Sequence, residues 1–230
     1  MTSETRRPAV LFDIDGTLVD SNYLHVYAWL RSFDEEGLPV DGWRIHRGIG
    51  MDGTSLVRSL AEHAGQDVLD RLKDGHDRFY KESSGLLAPL PGARDLLRWV
   101  ALKGLQVVLA TSAPEDELAM LRDVLDCEDL IAAVTSSEDV DTAKPKPDIV
   151  EVALDRAGVT AEQAVFVGDA MWDCEAAGRA GVPSIGVLSG GVSRAELLDA
   201  GASQVFDDAA DLLAKLDSTR IAELAVSDSR

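Results

Sequence analysis

The sequence predicts an α/β fold: a Rossmann-like core with a parallel sheet and helices on both faces, plus an inserted small α-helical cap domain. Three observations predict it. Short, continuous apolar runs recur along most of the 230-residue chain, amphipathic helical patterns alternate with them, and residues 21–87 break that rhythm with helical patterns alone. Strands buried on both faces read as unbroken apolar runs, and their alternation with helices marks a parallel sheet.

Residues 9–12 (AVLF) form the first strand, ended at once by Asp13. Residues 106–110, 132–135, 164–167 and 184–188 read the same way, and 204–206 is a weaker sixth strand. Between them, residues 93–103, 115–125, 147–157, 173–180 and 194–200 space their apolar positions as helices do. In the interrupting stretch, 23–36, 54–64 and 68–83 read as helix, and the turn-rich 85–92 (GLLAPLPG) returns the chain to the alternating part. This gives a catalytic core of residues 1–20 and 88–230 and a cap of residues 21–87. Asp20 and Ser21 are good N-caps for the first cap helix. The tail, 217–230, is polar and reads as a fraying end.

The length suits one α/β domain carrying a smaller insert. Apolar residues are 46% and charged residues 27%, an ordinary globular balance. No apolar run reaches the ~18 residues that span a bilayer. Arg6 and Arg7 lack an apolar core behind them, so no secretion signal is read. A net charge of -19 repels nucleic acid and anionic membrane, and neither is an expected partner. It reads as solubility or an acidic proteome background. Cys127 and Cys174 are isolated, which argues against a disulfide framework and fits a reducing cytoplasm. Cys174 reads as a small packing residue.

In open parallel sheets, ligands sit at the carboxyl ends of strands. The first strand is followed by Asp13-Ile14-Asp15-Gly16-Thr17, and the second by Thr111 and Ser112. Lys144 lies in Ala143-Lys144-Pro145-Lys146-Pro147-Asp148, and Gly168-Asp169 and then Asp173 follow the 164–167 strand. Clustered carboxylates repel one another and call for a cation. Mg²⁺ takes oxygen ligands, usually one or two carboxylates plus a substrate phosphate, and Asp13 and Asp169 are the candidate side-chain ligands. A metal-bound Asp13 can attack phosphorus. Asp15, two residues on, can protonate the leaving oxygen and later take a proton from water. Gly16 lets the backbone bend close to the phosphate. Thr111 donates a hydroxyl, and Lys144 supplies a point positive charge.

The string Phe12-Asp13-Ile14-Asp15-Gly16-Thr17-Leu18, then Thr111, then Lys144-Pro145, then Gly168-Asp169 with Asp173, resembles the four motifs of the haloacid dehalogenase-like hydrolase superfamily, in order across residues 9–210. The resemblance implies a Mg²⁺ cofactor and an aspartyl-phosphate intermediate. By it, Asp13 is nucleophile and metal ligand, and Asp15 is general acid/base with its backbone carbonyl on the metal. Thr111, Ser112 and Lys144 bind the phosphoryl group, Asp169 binds the metal, and Asp173 supports Lys144 or the metal shell. Dehalogenases of the superfamily lack the second aspartate, so Asp15 favours phosphoryl chemistry. Phosphonate-cleaving relatives need a cap lysine, and Lys73 and Lys81 sit in a surface-like pattern. The expected activity is a phosphatase acting on a small phosphorylated metabolite, such as a sugar phosphate, phosphoglycolate or a nucleotide. The alternative is a sugar-phosphate mutase resembling β-phosphoglucomutase, which has the same motifs and helical insert. A non-catalytic Mg²⁺ or phosphate sensor needs neither Asp15 nor a cap. Monomer and dimer both stay open.

The insert resembles a C1 cap, which closes over the site and reads the substrate beyond its phosphate. In it, the glycines of 46–53 suggest a loop that approaches a ligand. Arg47 is the candidate for pairing with a carboxylate or second phosphate, with His46 the weaker candidate beside it. His25, His63 and His76 read as ordinary helix residues, Trp29, Trp43 and Trp99 as core, and Lys146 as surface. Gly190 and Gly191 read equally as a turn or a pocket wall.

Overall fold

In the computed structural model, which describes residues 7–140, 142 and 144–227, the strands are β1 (Ala9–Phe12), β2 (Gln106–Ala110), β3 (Ile131–Thr135), β4 (Ala164–Gly168), β5 (Ser184–Val187) and β6 (Ala202–Phe206). They form one six-stranded sheet in the order β3-β2-β1-β4-β5-β6, with every neighbouring pair parallel. All of β1 is buried, as its apolar sequence requires, because it lies between β2 and β4. The chain leaves β1 toward β2 and β3 on one side and returns to β4 on the other. That reversal opens a crevice at the carboxyl end of β1. Phe12 stands level with Leu109 on one side and Val167 on the other, so the loops after all three strands leave from one edge.

Four helices follow β1: α1 (Asn22–Glu35), α2 (Gly42–Gly48), α3 (Gly53–Leu60) and α4 (Gln66–Ser83). They close on an apolar cluster of their own, centred on Trp29, Phe33, Ile45, Leu56 and Leu72. The helix α2 corrects the sequence reading, which took 46–53 as a glycine loop; the loop begins only at Ile49. The helix α3 ends at Leu60, so exposed His63 lies in a turn. Trp43 is 67% exposed and is not core.

The remaining helices are α5 (Ala93–Leu102), α6 (Glu115–Leu125), α7 (Asp148–Ala157), α8 (Met171–Arg179), α9 (Arg194–Asp199), α10 (Ala209–Ala214) and α11 (Arg220–Ser227). Successive strand residues face opposite sides of the sheet. Val10, Phe12, Val107, Leu109, Val165 and Val167 therefore pack on α5, α6, α10 and α11. Leu11, Val108, Ala110 and Phe166 pack on α7 and α8. The helices α10 and α11 were not foreseen. Ile221 and Leu224 bury α11 on the sheet, so that part of the tail is core, not a fraying end. Arg6, Ala143 and residues 228–230 of the expected tail lie outside the described residues. No helix among the described residues is long and apolar enough to cross a membrane.

Candidate active site

Asp13 follows β1, Thr111 follows β2 and Asp169 follows β4, and the level strand ends bring them to one place. Lys144 joins them from the loop before α7. Its Nζ lies 2.7 Å from Asp13 Oδ1 and 2.7 Å from Asp173 Oδ1. The four residues are buried: Asp13 at 5% exposed, Lys144 at 2%, Asp169 at 2% and Asp173 at 1%. The second oxygen of Asp173 accepts from the Ala170 amide at 3.0 Å, so one side chain both caps α8 and holds Lys144.

Asp169 is clasped by donors that the sequence reading passed over. Thr17 Oγ1 donates to its Oδ1 at 2.9 Å and Asn22 Nδ2 to its Oδ2 at 2.8 Å. Two glycines allow this approach. Gly16 has φ +70°, and a Cβ there would stand 2.3 Å from Asn22 Nδ2 and 2.5 Å from Asp169 Oδ2. A Cβ on Gly190 would stand 1.7 Å from the same oxygen. Gly16 thus serves Asp169 at least as directly as any phosphate, and Gly190 packs directly on Asp169.

Asp15 is a hydrogen-bonded partner of the insert. Its Oδ1 accepts from Ser21 Oγ at 2.5 Å and lies 3.2 Å from His25 Nε2. Ser21 makes no side-chain cap for α1; its hydroxyl goes to Asp15 instead. Burial pushes the Asp15 carboxyl up, but His25 and Ser21 outweigh it and hold the group below its usual value. Asp13 is pushed well up by burial, with Lys144 opposing and the neighbouring carboxylates adding to the rise. Burial, with Asp173 beside it, raises Asp169 to about 7. Burial also works against the Lys144 ammonium, yet Asp13 and Asp173 override it and hold it firmly charged.

This pattern is a test of metal fit. Asp13, Asp169 and Asp173 offer carboxylate oxygens within 4.8 Å of one another. Burial makes two of those carboxyls resist ionising, and the neighbouring acids add to it. A hard dication supplies the opposing charge, and an all-oxygen donor set suits Mg²⁺. The residues fit the group.

Residues 10–187 match the haloacid dehalogenase-like hydrolase family. The chain belongs to that family. The phosphoglycolate phosphatase of Pseudomonas putida is 35% identical over 214 residues, covering 89% of this chain and 78% of that one. The phosphoglycolate phosphatase of Rhodospirillum rubrum is 33% identical over 218 residues, covering 89% and 88%. The crystal structure of a hydrolase from Pseudomonas syringae superposes with TM-score 0.88 at 36% identity, covering 92% of this chain and 98% of that one.

In this haloacid dehalogenase-like hydrolase, Asp13, Asp15, Thr111, Ser112, Lys144 and Asp169 face a common cavity of about 790 Å³. Asp173 stands behind Lys144. Arg47 and His46 do not line that cavity, contrary to the sequence expectation. Arg47, at the end of α2, pairs with Glu196 of α9 on the surface. His46 Nε2 lies 2.8 Å from the Gly190 carbonyl and its ring stacks on Tyr23, so it docks the insert on the core. Besides Lys144, the lysines and arginines on the cavity wall are Arg58 of α3, Lys73 of α4 and Lys146. Lys146 is therefore more than a surface residue, and Lys73, which pairs with Asp70 at 3.3 Å, faces the cavity.

His25 and His76, taken from the sequence as ordinary helix positions, are buried on the cavity wall. Burial, with the His25 charge adding to it, lowers His76 to about 4 against the pull of Asp77. A histidine in the unfolded chain titrates near ~6.5, so between those values the unfolded state binds more protons and acid favours unfolding. The His76 contribution is complete above pH ~6.5 and is lost as pH falls toward 4, a difference of roughly 3 kcal/mol at most. In urea melts with chelator present, His76→Gln should lose less stability than the parent across that window. Parallel curves would remove the assignment.

Proposed function

We propose that this hydrolase removes phosphate from a small phosphorylated metabolite through an aspartyl-phosphate on Asp13. The phosphatase assignment rests on family membership and on the relatives' activities. The observation that carries the mechanism is the convergence of Asp13, Asp15 and Lys144 on one cavity. Asp13 attacks phosphorus, the ester P–O bond breaks, and the leaving oxygen takes a proton from Asp15. Water then attacks the aspartyl-phosphate and gives its proton to Asp15, releasing phosphate and Asp13. Burial works against the His25 charge, but Glu117 and Asp15 raise it to about 9; His25 lies 3.2 Å from Asp15 and can lend the proton that Asp15 gives to the leaving oxygen, taking it back once water has returned one to Asp15. Lys144 and the hydroxyls of Thr111 and Ser112 stabilise charge on the transferring group. Asp13, Asp169 and the Asp15 carbonyl would hold Mg²⁺, which would supply the charge compensation that lets two anions meet.

Release of inorganic phosphate should therefore stop in EDTA and return with Mg²⁺. Full turnover in chelator would overturn the metal assignment. Conversion of a sugar phosphate to its isomer without free phosphate would overturn hydrolysis in favour of a mutase.

The wall cations suit a substrate with a second anionic group, and 2-phosphoglycolate has one in its carboxylate. Arg58→Ala should raise KM for 2-phosphoglycolate roughly fivefold, the loss of about 1 kcal/mol from one exposed charged contact. KM for p-nitrophenyl phosphate should stay unchanged. Equal effects on both substrates would end that reading.

A further inference from the structure

We propose that His25, His76 and Glu117 form a second metal site, for a nitrogen-seeking dication such as Zn²⁺, at the seam between the insert and the core. Its ligands come from α1, α4 and α6, so it is separate from the acidic cluster. His25 Nδ1 lies 3.1 Å from His76 Nε2 and 3.5 Å from Glu117 Oε1. One ligand atom from each residue falls within 4.8 Å of the others. Tetrahedral zinc with bonds of ~2.0–2.1 Å sets its ligand atoms roughly 3.3 Å apart, between the two measured separations.

The surroundings carry the argument further. A ligating histidine commonly gives its other ring N–H to a carboxylate, which fixes the tautomer and the ring direction. Here both do: His25 Nε2 lies 3.2 Å from Asp15 Oδ1, and His76 Nδ1 lies 3.1 Å from Asp77 Oδ1. The nitrogens left over are the two that face each other and Glu117. Glu117 is 7% exposed, and its Oε1 is buried without a hydrogen bond from any described residue. The nearest cationic group to it is the His25 ring at 3.5 Å, and a metal that takes the place of the His25 Nδ1 proton keeps a positive charge beside this buried oxygen. Stacking holds the rings in place: Trp29 lies 4.1 Å from the His76 ring and Tyr80 lies 4.2 Å from the His25 ring. Two imidazoles and a carboxylate select zinc over magnesium. All three ligands face the cavity, which leaves room for a fourth, exchangeable position.

Occupation ties α1 and α4 to α6 and keeps the His25 N–H on Asp15. The bound metal therefore restrains the insert and slows turnover.

The test is a Co²⁺ titration of the full chain in saturating Mg²⁺. One equivalent should give the intense visible absorption of four-coordinate cobalt, and Zn²⁺ should abolish it. His76→Gln and Glu117→Gln, each checked for folding by circular dichroism, should lose the band, whereas Asp13→Asn should keep it. No band in the parent, or a band that survives both ligand variants, overturns the site. Zinc-edge X-ray absorption of the unmodified protein needs no variant: two imidazoles with one carboxylate are expected, and an all-oxygen shell would refute the proposal. Neither readout depends on phosphatase activity.

Discussion

Asp13→Asn should lower phosphate release by about 10⁴-fold or more, because no other described carboxylate at the cavity can take its place as nucleophile. Asp15 is tied to Ser21 and His25, and Asp169 to Thr17 and Asn22. The amide is close in shape to the carboxyl, so packing around β1 should survive. Burial and neighbouring acids already push the Asp13 carboxyl well up, which means its ionised form is held at a cost. Neutralising it should leave the melting temperature unchanged or raise it. Lost turnover with retained stability marks a chemical role rather than a structural one. Steady-state phosphate release and thermal denaturation of the same sample decide it, and residual activity above a few per cent would exclude Asp13 as the nucleophile.

How far the sequence foretold this depends on distance along the chain. The core strands were legible because β1 and β4 are unbroken apolar runs, as strands buried on both faces must be. The motif residues then fell into place because parallel strands that end level present their next residues together. The seam between insert and core was not legible. Helical spacing shows which residues share a face, but not what that face meets, so His25, His76 and Glu117 gave no sign of converging. Arg47 and Arg58 illustrate the same limit. Both are arginines near the ends of short insert helices, yet α2 turns Arg47 out to Glu196 while α3 turns Arg58 to the cavity. Ser21 was hidden by a local rule: a polar residue at a helix start reads as a cap, whereas here its side chain reaches Asp15, and Asn22 beside it, given no role in the sequence, reaches Asp169. The helix α11 was masked by its polar flanks, although Ile221 and Leu224 carry the spacing of a buried face.

Lys144→Met should destabilise the fold by about 3–5 kcal/mol, the range found when one partner of a buried ion pair is removed. The ammonium is the single cation within 2.7 Å of both Asp13 and Asp173 among the described residues, and all three side chains are almost wholly shielded from water. Methionine fills much of the volume but leaves two carboxylates facing each other. Arginine would not rescue the variant, because a planar fork cannot occupy the place of a compact ammonium between two acids. Adding Asp173→Asn should restore part of the stability by removing one stranded charge, yet activity should stay lost, since the charge beside Asp13 is still missing. Urea denaturation of the single and double variants, with phosphate release measured alongside, separates the two roles. A single variant within about 0.5 kcal/mol of the parent, a change typical of surface substitutions, would show that Lys144 does not hold the site together. A double variant that regained turnover would show that its charge is not needed for chemistry.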